Sequence, residues 1–335
     1  MEVRRGKRST LYIGMLILLV IAFVADLLVG DVMYSPREVF LSMTGQGDPS
    51  VRHIITQVRF TRVVTALLIG LSLPVCGLMM QTIFQNPLAD PYILGVSSGT
   101  GLGVALFMLG LPLLGDAVPA VVRSLGVLGA GWIGALLVLL LILVLSRKVS
   151  NIFGVLVIGV MLSYIVSSII QILQYYSSAE QLQLFTLWNL GSLSNITKGH
   201  LKILLPIVTF GLLLTVSAVK PLNLLLLGDE YAQTMGINLR HTRTLVFGAT
   251  TLMAGSITAF CGPIGFIGLA VPHATRYICR TSDHAVLVPA TMMVGGIAMF
   301  ICDIIAKLMV IPINSVTALL GIPVILKVIL SQLKR

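Results

Sequence analysis

The chain has 335 residues, of which 57% are hydrophobic and only 10% charged, with a net charge of +10 and a mean hydropathy of +1.02. That balance excludes a water-soluble domain, because apolar runs of about 20 residues, each able to cross ~30 Å of hydrocarbon, recur along the chain. No alternation of the β-barrel kind is visible, and the basic residues form no stripe suited to nucleic acid, so the class is an all-α polytopic membrane protein with about ten transmembrane helices.

The spans fall roughly at 10–30, 57–80, 92–110, 124–145, 152–175, 200–219, 243–261, 263–280, 286–308 and 315–333. Arg4, Arg5, Lys7 and Arg8 precede a run too long for a signal-peptide core and without an A-x-A-like cleavage site, which reads as a retained first span. An even number of spans puts both termini on one side. With those termini cytoplasmic, the inner connectors hold most of the Lys and Arg. The outer side keeps Arg37, Arg52, Arg59, Arg62, Arg123, Lys198, Lys202 and Lys307, more than topology alone would leave there.

In the outer connector 31–56, Ser35-Pro36-Arg37-Glu38 predicts an N-cap with proline at the first helical position and a short surface helix after it. The second span runs into Gln81–Gly103, QTIFQNPLADPYILGVSSGTGLG. Pro87 and Pro91 remove backbone donors there and bias Asn86 and Asp90 away from helix. Gly95, Gly99 and Gly103 then recur every four residues, giving the third span a bare face for close helix approach. The outer connector 176–199 is polar and aromatic, with Trp188 suited to the membrane interface.

The inner connector 220–243 is the longest on its side. Asp229 and Glu230 favour the start of a short amphipathic helix, and Gly236 can stop it in a left-handed cap. A helix outside the bilayer on that face reads as a protein-docking element. Gly262-Pro263-Ile264-Gly265 breaks the chain between two apolar runs. Asp303 and Lys307 stand four apart on the ninth span, as a local ion pair with the ammonium reaching outward or as functional intramembrane charges. Cys76, Cys261, Cys279 and Cys302 have no metal-site spacing and read as buried thiols, so neither a metal site nor a catalytic residue is assigned.

At these residues the chain resembles the FecCD/BtuC-like permease family of bacterial ABC importers for iron–siderophore, haem and cobalamin. The resemblance rests on Arg59-x-x-Arg62 with Gly70, Gly77 and Gln81; Asn86-Pro87-Leu88-Ala89-Asp90-Pro91 with Leu94-Gly95; and Ala232-x-x-x-Gly236. It continues through Gly262-Pro263-Ile264-Gly265-Phe266-Ile267-Gly268-Leu269, Pro272-His273, Arg276, Asp283-His284, Asp303 and Gly321-x-Pro323. It covers nearly the whole chain as a single permease domain, 1–335, with the coupling segment at about 220–243. Thr61, in place of the proline often found between the two arginines, and Ile325, in place of an aromatic, depart from the pattern.

The resemblance implies the type II ABC importer permease fold in the bacterial inner membrane. It further implies a homodimer, two ABC ATPase subunits carrying ATP and Mg, and a periplasmic or lipid-anchored substrate-binding protein. The substrate would be a large metal chelate, iron–siderophore first and haem or cobalamin next. It assigns Asn86 and Leu88 to a cytoplasmic gate, Asp229, Glu230, Ala232 and Gly236 to ATPase coupling, and Arg59, Arg62 and Lys307 to binding-protein docking. Lysine at 307 keeps the charge of an arginine but not its bidentate fork. The chain has no GxxxxGK[ST], so the ATPase is expected on another polypeptide, and no cofactor is expected on this one. An intramembrane metal–diphosphate enzyme would require clustered acids, and an ion-coupled secondary transporter would require carboxylates on several spans; Asp26 and Asp303 are the sole candidates.

Overall fold

The computed structural model describes residues 2–30, 32–113, 120–146 and 152–333, and among them there is no strand. In chain order the helices are α1 (Glu2–Leu28), α2 (Pro36–Met43), α3 (Pro49–His53), α4 (Phe60–Ile83), α5 (Val96–Ala105), α6 (Leu111–Leu113), α7 (Ala120–Ser146) and α8 (Ile152–Tyr176). They continue as α9 (Ala179–Asn189), α10 (Lys198–Leu225), α11 (Asp229–Thr234), α12 (Leu239–Thr250), α13 (Ser256–Cys261), α14 (Ile267–Cys279), α15 (His284–Met309) and α16 (Ile313–Leu333). Wider π-turns at Ile54–Arg59, Leu106–Gly110 and Thr251–Gly255 join α3 to α4, α5 to α6 and α12 to α13. Eight of the resulting stretches are long and apolar enough to cross a membrane. The shorter α14 and the apolar part of α16 occupy the other two places in the predicted order of ten.

The local signals are realised closely. Ser35 caps α2 in a full capping box: its hydroxyl accepts from the Glu38 amide, and the Glu38 carboxylate accepts from the Ser35 amide at 2.7 Å. These bonds hold the Glu38 carboxyl below the usual carboxylate range. The helix breaks at Gly262, whose φ is 76°, and resumes at Ile267.

The chain divides into two compact units interleaved along the sequence: Met1–Leu78, Leu193–Pro206 and Gly265–Arg335 form one, and Met79–Ser192 with Ile207–Ile264 form the other. In the first, α1 packs on α15, and α14 packs on α15 and α16. α4 approaches α14 so closely that a Cβ on Gly77 would lie 1.7 Å from the Gly268 carbonyl oxygen. In the second, α5 lies against α7, and a Cβ on Gly103 would lie 2.0 Å from the Ala130 carbonyl oxygen. Small-residue faces of this kind let membrane helices gain dispersion contact that lipid does not oppose.

Trp188, which the sequence suits to the membrane interface, is half-buried. It stacks on Phe185 with ring centroids 5.8 Å apart and packs on a buried cluster of Val104, Ala105 and Leu109. The aromatic surface finds a partner inside the second unit because α9 lies against the π-turn after α5.

Candidate functional site

The connector between α4 and α5 is built from interlocking turns. The Asn86 amide donates to the Gln81 carbonyl at 3.1 Å, ending α4. The Asn86 Oδ1 accepts from the Leu88 amide at 2.9 Å, spanning Pro87, and the Ala89 amide donates to the Asn86 carbonyl at 3.1 Å. This is an Asx turn, the arrangement that asparagine before proline favours. Asp90 repeats the device, its Oδ1 accepting from the Tyr92 amide at 2.8 Å across Pro91. Burial pushes the Asp90 carboxyl, which lies between the membrane-spanning segments, up to about 6, against the opposing pull of that amide. The side chain of Asn86 is thus committed to the turn, while Leu88 is 40% exposed.

The segment predicted for ATPase coupling lies in the same unit. α11 is one and a half turns long, starts after Gly228 (φ 102°), and carries Asp229 and Glu230 in its first turn. Its end is a Schellman motif: the Ile237 amide donates to the Ala232 carbonyl and the Gly236 amide to the Gln233 carbonyl, with Gly236 at φ 83°. Ala232 is fully buried beneath the helix, whereas Glu230, Tyr231 and Met235 are exposed. Asp229 pairs with Arg243 of α12 at 2.6 Å, fixing α11 to the helix that follows.

Two contacts flank this segment and reach the connector. Phe84 stacks on Phe247 of α12 with centroids 6.0 Å apart. The Gln85 amide Nε2 donates to the Leu225 carbonyl at the end of α10, 3.4 Å away. The helix that displays Tyr231 is therefore gripped, before and after, by the residues that lead into Asn86 and Leu88.

In the first unit the predicted docking residues are drawn together with Asp26. The Arg62 guanidinium forks onto Asp303, with contacts of 2.9, 3.0 and 3.1 Å, and donates to the Ser194 hydroxyl at 2.9 Å. Lys307 bonds Asp303 at 2.8 Å and Asp26 at 2.7 Å, and also donates to the Asp26 carbonyl at 2.8 Å. The lysine ammonium does not reach outward as the spacing suggested; it turns inward, and Lys307 is 8% exposed. Arg59 is similarly enclosed, donating to the carbonyls of Leu27, Leu28 and Val32 and lying 4.6 Å from the Tyr34 ring centroid. Arg62, with a fifth of its side chain exposed, is the most accessible of the three predicted docking residues.

The FecCD transport family model matches residues 18–331 of this sequence. The chain belongs to the FecCD transport family. Among its relatives, the vitamin B12 import system permease protein BtuC of Klebsiella pneumoniae is 35% identical, with 98% of this chain and 95% of that protein covered. The BtuC protein of Salmonella typhimurium is 32% identical, covering 98% and 97%. A solved structure of a metal-chelate type ABC transporter in an inward-facing conformation superposes with a TM-score of 0.83 at 29% identity, covering 95% of this chain and 97% of that one. This FecCD chain is thus a polytopic membrane transport permease.

Asp26, Ser194 and Tyr34 are the polar-cluster residues that the sequence reasoning did not assign. A signal for Asp26 existed: it is a lone acid in an apolar run, costly without a partner, and Lys307 on the ninth span offers a base that Asp303 alone need not use up. Ser194 and Tyr34 sit in connectors and carry no comparable signal.

Proposed function

We propose that this chain is the membrane-spanning subunit of an ATP-driven importer for a large metal chelate, with an iron–siderophore as substrate. The observation that carries the reading is α11: a short, end-capped helix with exposed Glu230, Tyr231 and Met235, held to the Asn86–Leu88 connector by the Phe84–Phe247 and Gln85–Leu225 contacts. A helix of this kind suits a groove on an ATPase, and its two anchors can pass a displacement to the connector. In this reading two such chains form a homodimer in the inner membrane, with both termini cytoplasmic and an ATPase bearing ATP and Mg on each. Leu88, presented by the Asn86 turn, supplies bulk at the cytoplasmic gate. Arg62 meets an acidic lobe of a periplasmic or lipid-anchored binding protein, while Arg59 and Lys307 brace the helix ends beneath it.

The test is purification of the tagged chain from its native membrane. A stoichiometric ATPase is expected, together with a chelate on the accompanying binding protein that mass spectrometry identifies. A chain that purifies without an ATPase, yet transports in reconstituted vesicles under an ion gradient alone, overturns the reading. Cobalamin is the second reading, favoured by the names of the BtuC relatives, and the same mass spectrum separates the two. For the gate, Leu88→Cys in a background lacking the four native cysteines is expected to cross-link between subunits at rest and to lose the cross-link on ATP binding. Equal cross-linking in both states would remove Leu88 from that role.

A further inference from the structure

A cavity of about 410 Å³ lies in the first unit, between α2, the α3 turn and the start of α10. Ser42, Gly45, Arg52, His53, Gln57 and Lys198 line it. Ser42 is 1% exposed, and its hydroxyl, on the cavity wall, has no hydrogen-bond partner. An unpaired buried hydroxyl costs free energy unless a ligand or water satisfies it. Two nearby acids are already engaged: Glu38 in the capping box with Ser35, and Asp48 at the N-cap of α3, bonded to the Ser50 amide at 2.7 Å. Arg52 spends one donor on the Gly45 carbonyl at 3.2 Å, which orders the Gly45–Gly47 turn and leaves other guanidinium donors for a guest. The Lys198 ammonium forms no ion pair or hydrogen bond among the described residues, and the residue stands exposed at the rim.

The cavity thus offers two permanent cations, a histidine and an unsatisfied hydroxyl, a donor set that fits the tetrahedral oxygens of a phosphate group. Its neighbourhood selects the source. On the chain leading into α2 and on α2 itself, Val32, Met33 and Phe40 are 57%, 64% and 67% exposed, and Met43 reaches the cavity rim. Exposed apolar side chains beside a basic pocket, next to a membrane span, suit acyl chains and headgroup together. We infer that this cavity binds the phosphate of an anionic phospholipid, with Arg52 and Lys198 on the oxygens, Ser42 donating to one of them, and Phe40 and Met33 against the chains. This goes beyond the transport reading and does not depend on the substrate.

The experiment is native mass spectrometry of the full chain released from nanodiscs of phosphatidylcholine doped with phosphatidylglycerol. The wild type is expected to retain a phosphatidylglycerol adduct, and Lys198→Gln to reduce its occupancy by about fivefold, the effect of one basic residue at an anionic surface. Ser42→Ala, which removes one oxygen and leaves α2 uncrowded, is expected to lower occupancy without changing the elution profile. Equal adducts in all three chains would overturn the inference. An adduct that excess inorganic phosphate displaces completely would overturn the lipid as the source.

Discussion

Lys307 and Arg243 are both basic residues paired with an aspartate, yet their surroundings differ in kind. Lys307 is shared by Asp26 and Asp303, both fully buried, and lies within α15 with its own side chain almost wholly enclosed. Arg243 meets Asp229 on the surface of the other unit, where the side chains remain 17% and 36% exposed. The first grouping holds charges that lipid and protein interior would both reject singly, so every member depends on the others. The second is wet, and water can replace either partner. The contrast teaches that identical acid–base chemistry can lock one region and merely trim another: a buried frame in the first case, and in the second the solvated anchor of α11, the helix proposed to dock an ATPase.

Removing the lysine is the most severe way to break that contrast. Lys307→Ala leaves the buried Asp26 carboxylate without a counter-ion beside Asp303, which keeps Arg62, and a destabilisation of about 3–5 kcal/mol is expected, as for one partner of a buried pair. It would appear as a large drop in the thermal midpoint in detergent. The double change Asp26→Asn with Lys307→Met is expected to recover part of the loss, and a neutral Lys307→Ala would place the network outside the folding core. Gly236→Val tests the docking element instead. No atom lies within 4 Å of a Cβ there, so the cost comes from the left-handed backbone alone, about 1–2 kcal/mol. Loss of ATPase co-purification with membrane insertion intact is the expected result.

Asp90 supplies an intermediate case, a partly buried acid held by an amide. Its folded value near 6 lies above its ordinary 3.8, so the folded connector binds the proton more tightly than the unfolded chain does. Stability from this group is present in full below pH 3.8 and is lost as pH rises through about 6. Asp90→Asn is expected to flatten thermal-midpoint profiles over that window, and an unchanged slope would assign it to other groups. The smallest effect belongs to Asp229→Asn, for which a stability change of about 0.2–1 kcal/mol is expected, weakening with added salt. A loss as large as that of Lys307→Ala would erase the distinction between the two regions.

What the sequence reveals follows from the range of the interactions. Ser35 with Glu38, Asn86 before Pro87 and the glycine at 236 act within six residues of themselves, so capping and turn chemistry is written locally, and each has the geometry its residue type predicts. The apolar runs likewise mark each span. Lys307 illustrates what is hidden: its partner Asp26 is 281 residues away, and nothing near 307 selects that direction over the solvent. Arg59 folding back onto the carbonyls of α1, and Trp188 turning inward, depend in the same way on helices brought alongside by the fold. The docking and gate roles of Arg62 and Leu88 were legible through family resemblance and remain proposals that the exposure of each supports.

The 281-residue separation of Asp26 from Lys307 also bears on synthesis at the ribosome. The first span enters the bilayer carrying its aspartate long before α15 has been translated, and the glycine face of α4 likewise waits for Gly268. For most of the time the chain is being made, that carboxyl lacks its native counter-ion, a costly state in hydrocarbon. The unit assembled from the two ends of the chain can therefore close only after translation is nearly complete, whereas the other unit, complete by residue 264, can pack while residues 265–335 are still emerging.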